Sequence, residues 1–279
     1  MNGFILVNKE TGITSNKVVQ DIKRKLKADK VGHLGTLDPL AEGLLVLAIN
    51  RATKFSNYFL ESDKSYYVEV QLGITTDTDD STGKTIFESK KIPSKEEVKS
   101  QLFRFMGNSM QIPPFFSALK HKGKPLYKYA RRGEFISKSA RKINIKDIRN
   151  FRYKDRICTF EIDCSKGTYI RSIARDLGEN LGCGAHMKSL TRLSQADFRL
   201  LDANNISSIT KGNIISIEKA FEIFNKISIN LDESKKFING VQIPKSSSSN
   251  IFFRVFNEKD KFLGIGEIKD NNLKHKQLV

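Results

Sequence analysis

Residues 32–45 read GHLGTLDPLAEGLL and set one carboxylate, Asp38, between Leu37 and Pro39, with glycines on either side. An aspartate placed there has three uses. It can cap a helix whose first residue is Pro39. It can open a turn. Or it can be aimed at a reacting centre. Pro39 biases Asp38 toward an extended backbone. Gly35 and Gly43 permit close approach of another chain segment or a ligand. Behind them LLVLAI (44–49) is short and wholly apolar, as a buried strand or buried helical segment would be. Asp38 is therefore expected on a tight loop tied to the core, which suits a group that needs fixed aim.

Other patterns that could carry chemistry fail on spacing. In DTDDSTGKTIFE (77–88), Asp77, Asp79, Ser81 and Glu88 fall at calcium-ligand positions, but Gly83 comes one position late and the flanks read as strands. GKT (83–85) lacks the earlier glycine of a phosphate-binding loop, since position 78 is Thr78. Cys183 and His186 form half of a conceivable zinc site with no second half. The three cysteines, Cys158, Cys164 and Cys183, form no disulfide framework. Calcium and nucleotide binding are rejected on these grounds.

The elements that must position Asp38 are readable in outline. Residues 14–28 read as a helix capped by Ser15 or Asn16, with Val18, Val19, Ile22 and Leu26 on its inner face. YYVEVQL (66–72) alternates, placing Tyr66, Val68, Val70 and Leu72 on one side. A capping box, Ser94 to Glu97, opens a helix that ends at Gly107. RICTFEIDC (156–164) alternates again, and 167–182 reads as a helix with Ile170, Ile173, Ala174, Leu177 and Leu181 inward. Between them, residues 111–135 form a long basic connection with two adjacent prolines. The composition shifts near residue 228. Beyond it, past a serine run at 246–249, IFFRVF and FLGIGEI read as a hairpin in a small β-rich unit. The fold class is mixed α/β (α+β), as residues 1–228 plus 229–279.

Net charge is +17 over 279 residues, with 28% charged and 39% hydrophobic residues. That composition folds as a globule and seeks a polyanion, nucleic acid first. The cations cluster at 23–30, 120–132 and 138–146; the second cluster interleaves Tyr127 and Tyr129, a mixture suited to phosphate contact and base stacking. No run reaches transmembrane length, and the N-terminus lacks a basic region before its apolar part. Cytoplasm is the expected location.

Five ordered blocks, 7–19, 31–49, 52–83, 112–133 and 164–193, together resemble the TruB family of tRNA pseudouridine synthases. Glu10 departs from the proline common at its position, and the C-terminal unit resembles a short PUA-type domain more weakly. The resemblance implies a central, mostly antiparallel sheet and conversion of a T-loop uridine, position 55 of tRNA, to pseudouridine after base flipping, a redox-neutral isomerisation that needs no metal and no cofactor. The substrate is then the tRNA T-arm, met without a membrane or obligatory protein partner by a monomer.

By matching position, the resemblance makes Asp38 the catalytic carboxylate. Tyr66 stacks on the base and moves a proton, and Arg171 pairs with Asp38 and keeps it ionised. Tyr169 and Leu190 line the uridine pocket, His33 stacks against RNA, and Lys54 lies beside the pocket. The loop 111–135 clamps the RNA arm, ordering on binding. Read without the resemblance, Tyr169 and Leu190 are core residues and Arg171 a helix-surface ion pair. Two rivals share the charge pattern. A non-catalytic RNA-binding or RNA-folding module has no use for a carboxylate beside a polyanion. An RNA-guided relative that modifies ribosomal RNA has less need of a long basic loop.

Overall fold

In a computed structural model, which describes residues 1–247 and 251–279, the chain builds around one large, mostly antiparallel sheet. Part of the serine run, residues 248 and 249, lies outside the described residues. The strands run across the sheet in the order Asn204–Asn205, Gly3–Lys9, Glu42–Ile49, Ala185–Gln195, Lys64–Leu72, Ile157–Cys164, Arg141–Lys154, Gly107–Gln111. Glu42–Ile49 meets Ala185–Gln195 in a short parallel contact, whereas Ala185–Gln195, Lys64–Leu72 and Ile157–Cys164 pair antiparallel over long stretches.

The apolar run at 44–49 is a strand. Leu45, Leu47 and Ile49 enter one core cluster, and Leu44, Val46 and Ala48 enter another on the opposite face. A strand covered on both faces has no need to alternate, which is why its sequence does not. Lys64–Leu72 alternates because only one face is covered: Tyr66, Val68, Val70 and Leu72 are buried, while Tyr67, Glu69 and Gln71 are half-exposed.

Three helices cover the first face. Ser15–Leu26 buries Val18, Val19, Ile22 and Leu26, as the periodicity predicts. Its cap, however, is Thr14, whose hydroxyl accepts from Lys17 N–H at 3.1 Å, and not Ser15 or Asn16. Ser15 is taken up elsewhere, as described below. Lys95–Phe103 carries the expected capping box between Ser94 and Glu97. Ile170–Leu181 turns Ile170, Ile173, Ala174, Leu177 and Leu181 inward and stops at Gly182, left-handed with φ 64°.

The C-terminal unit is a five-stranded sheet in which Phe252–Asn257 and Phe262–Lys269 form the expected hairpin. Asn225–Ile229 pairs in parallel with Phe252–Asn257, so residue 228 falls inside the sheet's first strand. The unit seats on the main body through an aromatic cluster: Tyr58 meets Phe221, Phe224 and Phe252 at ring separations of 5.1, 6.3 and 6.2 Å.

Candidate active site

Asp38 lies in a turn and caps no helix: its carbonyl accepts from Ala41 N–H at 3.1 Å, and the chain then enters the Glu42–Ile49 strand. Neighbouring segments fix the turn through its backbone. Ser15 Oγ donates to Leu37 O at 2.8 Å and accepts from Leu37 N–H at 2.9 Å, which is why Ser15 does not cap its own helix. Gly12 N–H donates to Pro39 O at 2.7 Å and Thr11 Oγ1 to Leu40 O at 2.7 Å. Beneath the turn, the buried Lys9 Nζ donates to Ala41 O at 2.6 Å. Burial pulls the Lys9 ammonium down to about 8, against the opposing pull of Asp38 and Glu42. The glycines serve the same close packing. Gly43 has φ 91°, and a Cβ there would stand 2.6 Å from Arg192 O.

Opposite the turn, the Ile170–Leu181 helix presents Arg171 from its first turn. Arg171 is 5% exposed, and its Nη2 stands 3.0 Å from Asp38 Oδ2. It donates further to Phe116 O at 2.7 Å and Thr78 O at 3.2 Å, with Asp80 Oδ2 at 3.7 Å. A guanidinium held at this many points has little freedom, so the carboxylate paired with it is aimed as well. This is no helix-surface ion pair.

Asp38 and Arg171 border a cavity of about 270 Å³ whose walls include Tyr66, Tyr169, Leu190, Lys64 and Arg192. That is just below the roughly 300–1,000 Å³ of drug-sized ligand sites, the scale of one flat ring and its attachment. Tyr66 comes from the Lys64–Leu72 strand and Leu190 from its neighbour, where it pairs with Val68. Burial pushes the Tyr66 phenol up to about 12, opposed chiefly by Arg192. Tyr169 N–H and C=O are both engaged by the Gln111 side chain, at 2.8 and 3.1 Å, and Arg141 lies 5.5 Å from the centroid of its ring.

Five of the side chains singled out in the sequence, Asp38, Tyr66, Arg171, Tyr169 and Leu190, thus meet at one cavity. His33 borders the adjoining one, of about 590 Å³, which shares Asp38 and Arg171 and is also lined by Tyr127 and Arg131. His33 Nδ1 is buried and unpartnered, and burial lowers its pKa. Lys54 does not join them. It is exposed on the 3₁₀ turn Asn50–Phe55 and borders neither cavity. The lysine at the wall is Lys64, drawn down to about 8 by burial and then by Arg192, and held by Leu60 O at 2.9 Å.

Family models match almost the whole chain: "TruB family pseudouridylate synthase (N terminal domain)" over 23–170, "tRNA pseudouridylate synthase B C-terminal domain" over 171–217, and "Pseudouridine synthase II TruB, C-terminal" over 226–279. The chain belongs to the TruB family.

Among curated relatives, the tRNA pseudouridine synthase B of Clostridium kluyveri is 40% identical over 98% of both chains. That of Actinobacillus pleuropneumoniae is 38% identical over 98% of this chain and 94% of its own. A chain of an H/ACA RNP solved bound to a substrate RNA containing 2′-deoxyuridine superposes with a TM-score of 0.72 over 99% of this chain and 84% of its own. At 21% identity that likeness concerns the fold. The third matched segment coincides with the separate C-terminal sheet, in agreement with a PUA-like second unit.

Within this TruB fold, sequence reasoning missed several residues of the site. Asp80 and Thr78 lie in the stretch set aside as a failed calcium loop. They bond to each other at 2.8 Å and hold Arg171. Their proximity to residue 171 is purely tertiary. Gln111 and Arg192 gave no local signal either. The connection 111–135 reaches the cleft already folded: it contains the short helix Leu126–Ala130, and its Phe116 and Ile112 carbonyls accept from Arg171 and Ser172. Among the described residues, no helix is long and apolar enough to cross a membrane.

Proposed function

We propose that this chain isomerises uridine to pseudouridine in tRNA, at position 55 of the T-loop. The observation that carries the reading is the Asp38 carboxylate held 3.0 Å from a buried Arg171 at the mouth of a one-ring cavity. The relatives named tRNA pseudouridine synthase B, at 38–40% identity over nearly full length, support the substrate class.

The cavity is too small for a base pair, so the target nucleotide must leave its stack, at a cost of roughly a few kcal/mol. Tyr66, Tyr169 and Leu190 offer aromatic and aliphatic walls that offset this by stacking and by excluding water. Asp38 then lies beside the glycosidic bond, with Arg171 keeping it charged and oriented. His33, in the adjoining cavity, fills the space the flipped nucleotide leaves. The reaction moves a bond within one nucleotide, is redox-neutral and consumes no second substrate. The exposed cations Lys120, Lys122, Lys124, Lys128, Arg131 and Arg132 stand on the segment that roofs the cleft, where phosphates of the arm would pass. We place the unit boundary just before Asn225 and read the protein as a cytoplasmic monomer acting without a protein partner.

The test is purified protein with an unmodified tRNA transcript, read for pseudouridine at every position. Product at position 55 alone supports the reading. Product elsewhere, or only with a guide RNA and added proteins, overturns it.

A further inference from the structure

Arg192 is the largest fully buried side chain in the protein, with 1% of its surface exposed. Its guanidinium donates to two neutral carbonyls, Leu44 O at 2.6 Å through Nε and Gly35 O at 3.1 Å through Nη2. No carboxylate lies within ion-pair distance of it among the described residues. Tyr66 is the residue directly opposite it across two paired strands, and the two side chains act on each other electrostatically. Both line the cavity that holds Asp38. Three further ionisable groups, Lys9, His33 and Lys64, feel its charge. A buried charge without a counter-ion costs several kcal/mol, so packing alone is a poor reason to keep one.

We propose that Arg192 is a positioning residue: it fixes the Tyr66 hydroxyl and supplies the charge that lets this oxygen become an anion while it relays a proton between two atoms of the uracil ring. The proposal rests on the reading of the cavity as the uridine site. The step balances without any other reactant. The C1′–N1 bond breaks with its electron pair on the base, and the Tyr66 phenol gives its proton to N1. Rotation of the ring about its C6–N3 axis exchanges N1 and C5. The C5–C1′ bond forms from the ring π pair, and the phenolate, paired with Arg192, takes the C5 proton. The phenol is restored. One fixed oxygen can serve both transfers because the rotation brings C5 to the place N1 has left. Asp38 also acts on Tyr66 and would oppose the anion, so Arg192 is the group on that side of the cavity that favours it.

The experiment is a double-mutant cycle on single-turnover rates, with enzyme saturating and in excess over tRNA. The variants are Tyr66→Phe, Arg192→Gln, Arg192→Lys and the pair Tyr66→Phe with Arg192→Gln, each checked by thermal melt. The expected result is a fall of about 100-fold or more for Arg192→Gln. KM should stay unchanged, activity should return in part with Arg192→Lys, and Arg192→Gln should have little further effect once Tyr66 is Phe. Arg192→Lys keeps a charge and a stem, so it reports even where the glutamine variant folds poorly. Multiplying effects in the cycle would overturn the proposal, as would equal rates for the Gln and Lys variants. A wild-type protein inactive on tRNA would instead overturn the functional reading beneath it.

Discussion

Asparagine at position 38 keeps the shape of the aspartate and removes its charge, so its effects on folding and on turnover should separate. A buried cation stripped of its only partner costs about 3–5 kcal/mol. Arg171 would not be stripped. Asp80 stays 3.7 Å away, and the carbonyls of Phe116 and Thr78 stay bonded to it. The side chain of Asp38 is 38% exposed, so solvent screens its pair with Arg171 toward the roughly 0–1 kcal/mol of a surface ion pair. At about 2–4 °C per kcal/mol for a chain of this size, the melting point should move by no more than about 4 °C. Turnover should fall by about 10⁴-fold or more, the order seen when a group acting directly on the reacting atoms is removed. Filter binding should show tRNA still held, since the cations proposed to meet its phosphates lie elsewhere. The assays are a thermal melt, a binding isotherm and pseudouridine formation over hours. Measurable multiple turnover in Asp38→Asn would remove the carboxylate from the chemistry. A melting point lowered by ten degrees or more would refute the shared support of Arg171 by Asp80.

Tyr66→Phe should bind tRNA normally and react slowly, whereas Tyr66→Leu should lose binding as well; a wild-type rate in the Phe variant would confine Tyr66 to stacking. Replacing several of Lys120, Lys122, Lys124, Lys128, Arg131 and Arg132 by Ala should flatten the salt dependence of tRNA binding by about 0.7 to 0.9 in log–log slope for each phosphate no longer neutralised. An unchanged slope in a folded variant would take this segment out of the RNA site. Lys9 and Lys64, both depressed to about 8 from 10.5, bind fewer protons in the folded than in the unfolded chain between those values. Unfolding free energy should therefore rise with pH across that window, with the lysine penalty fully present below it. Lys9→Met should flatten that rise in urea melts run at about pH 8 and about pH 10. The same rise in variant and parent would show that Lys9 is not its source.

Most elements were legible in the sequence because each follows from local physics. The inner face of Ser15–Leu26, the Ser94–Glu97 box and the inward row of Ile170–Leu181 are set by periodicity and capping within one segment. Asp38 was legible as an aimed carboxylate because Pro39, Gly35 and Gly43 restrict the backbone around it. Its partners were not, since they come from segments far along the chain. An isolated helix start offers Ser15 no better use than a cap, yet the fold brings both backbone polar groups of Leu37 within reach of its hydroxyl. Lys54 was carried over by position alone, and the tertiary structure instead turned Lys64 to the cavity. Asp80 supports Arg171 only because the strand pairs carry residues 78–80 across to the start of a helix some ninety residues later. Arg192 is the clearest case. In sequence it is one more cation of a basic chain. Antiparallel register places it opposite Tyr66, and complete burial gives that placement its electrostatic weight, because a charge shielded from water acts strongly on the few groups it touches.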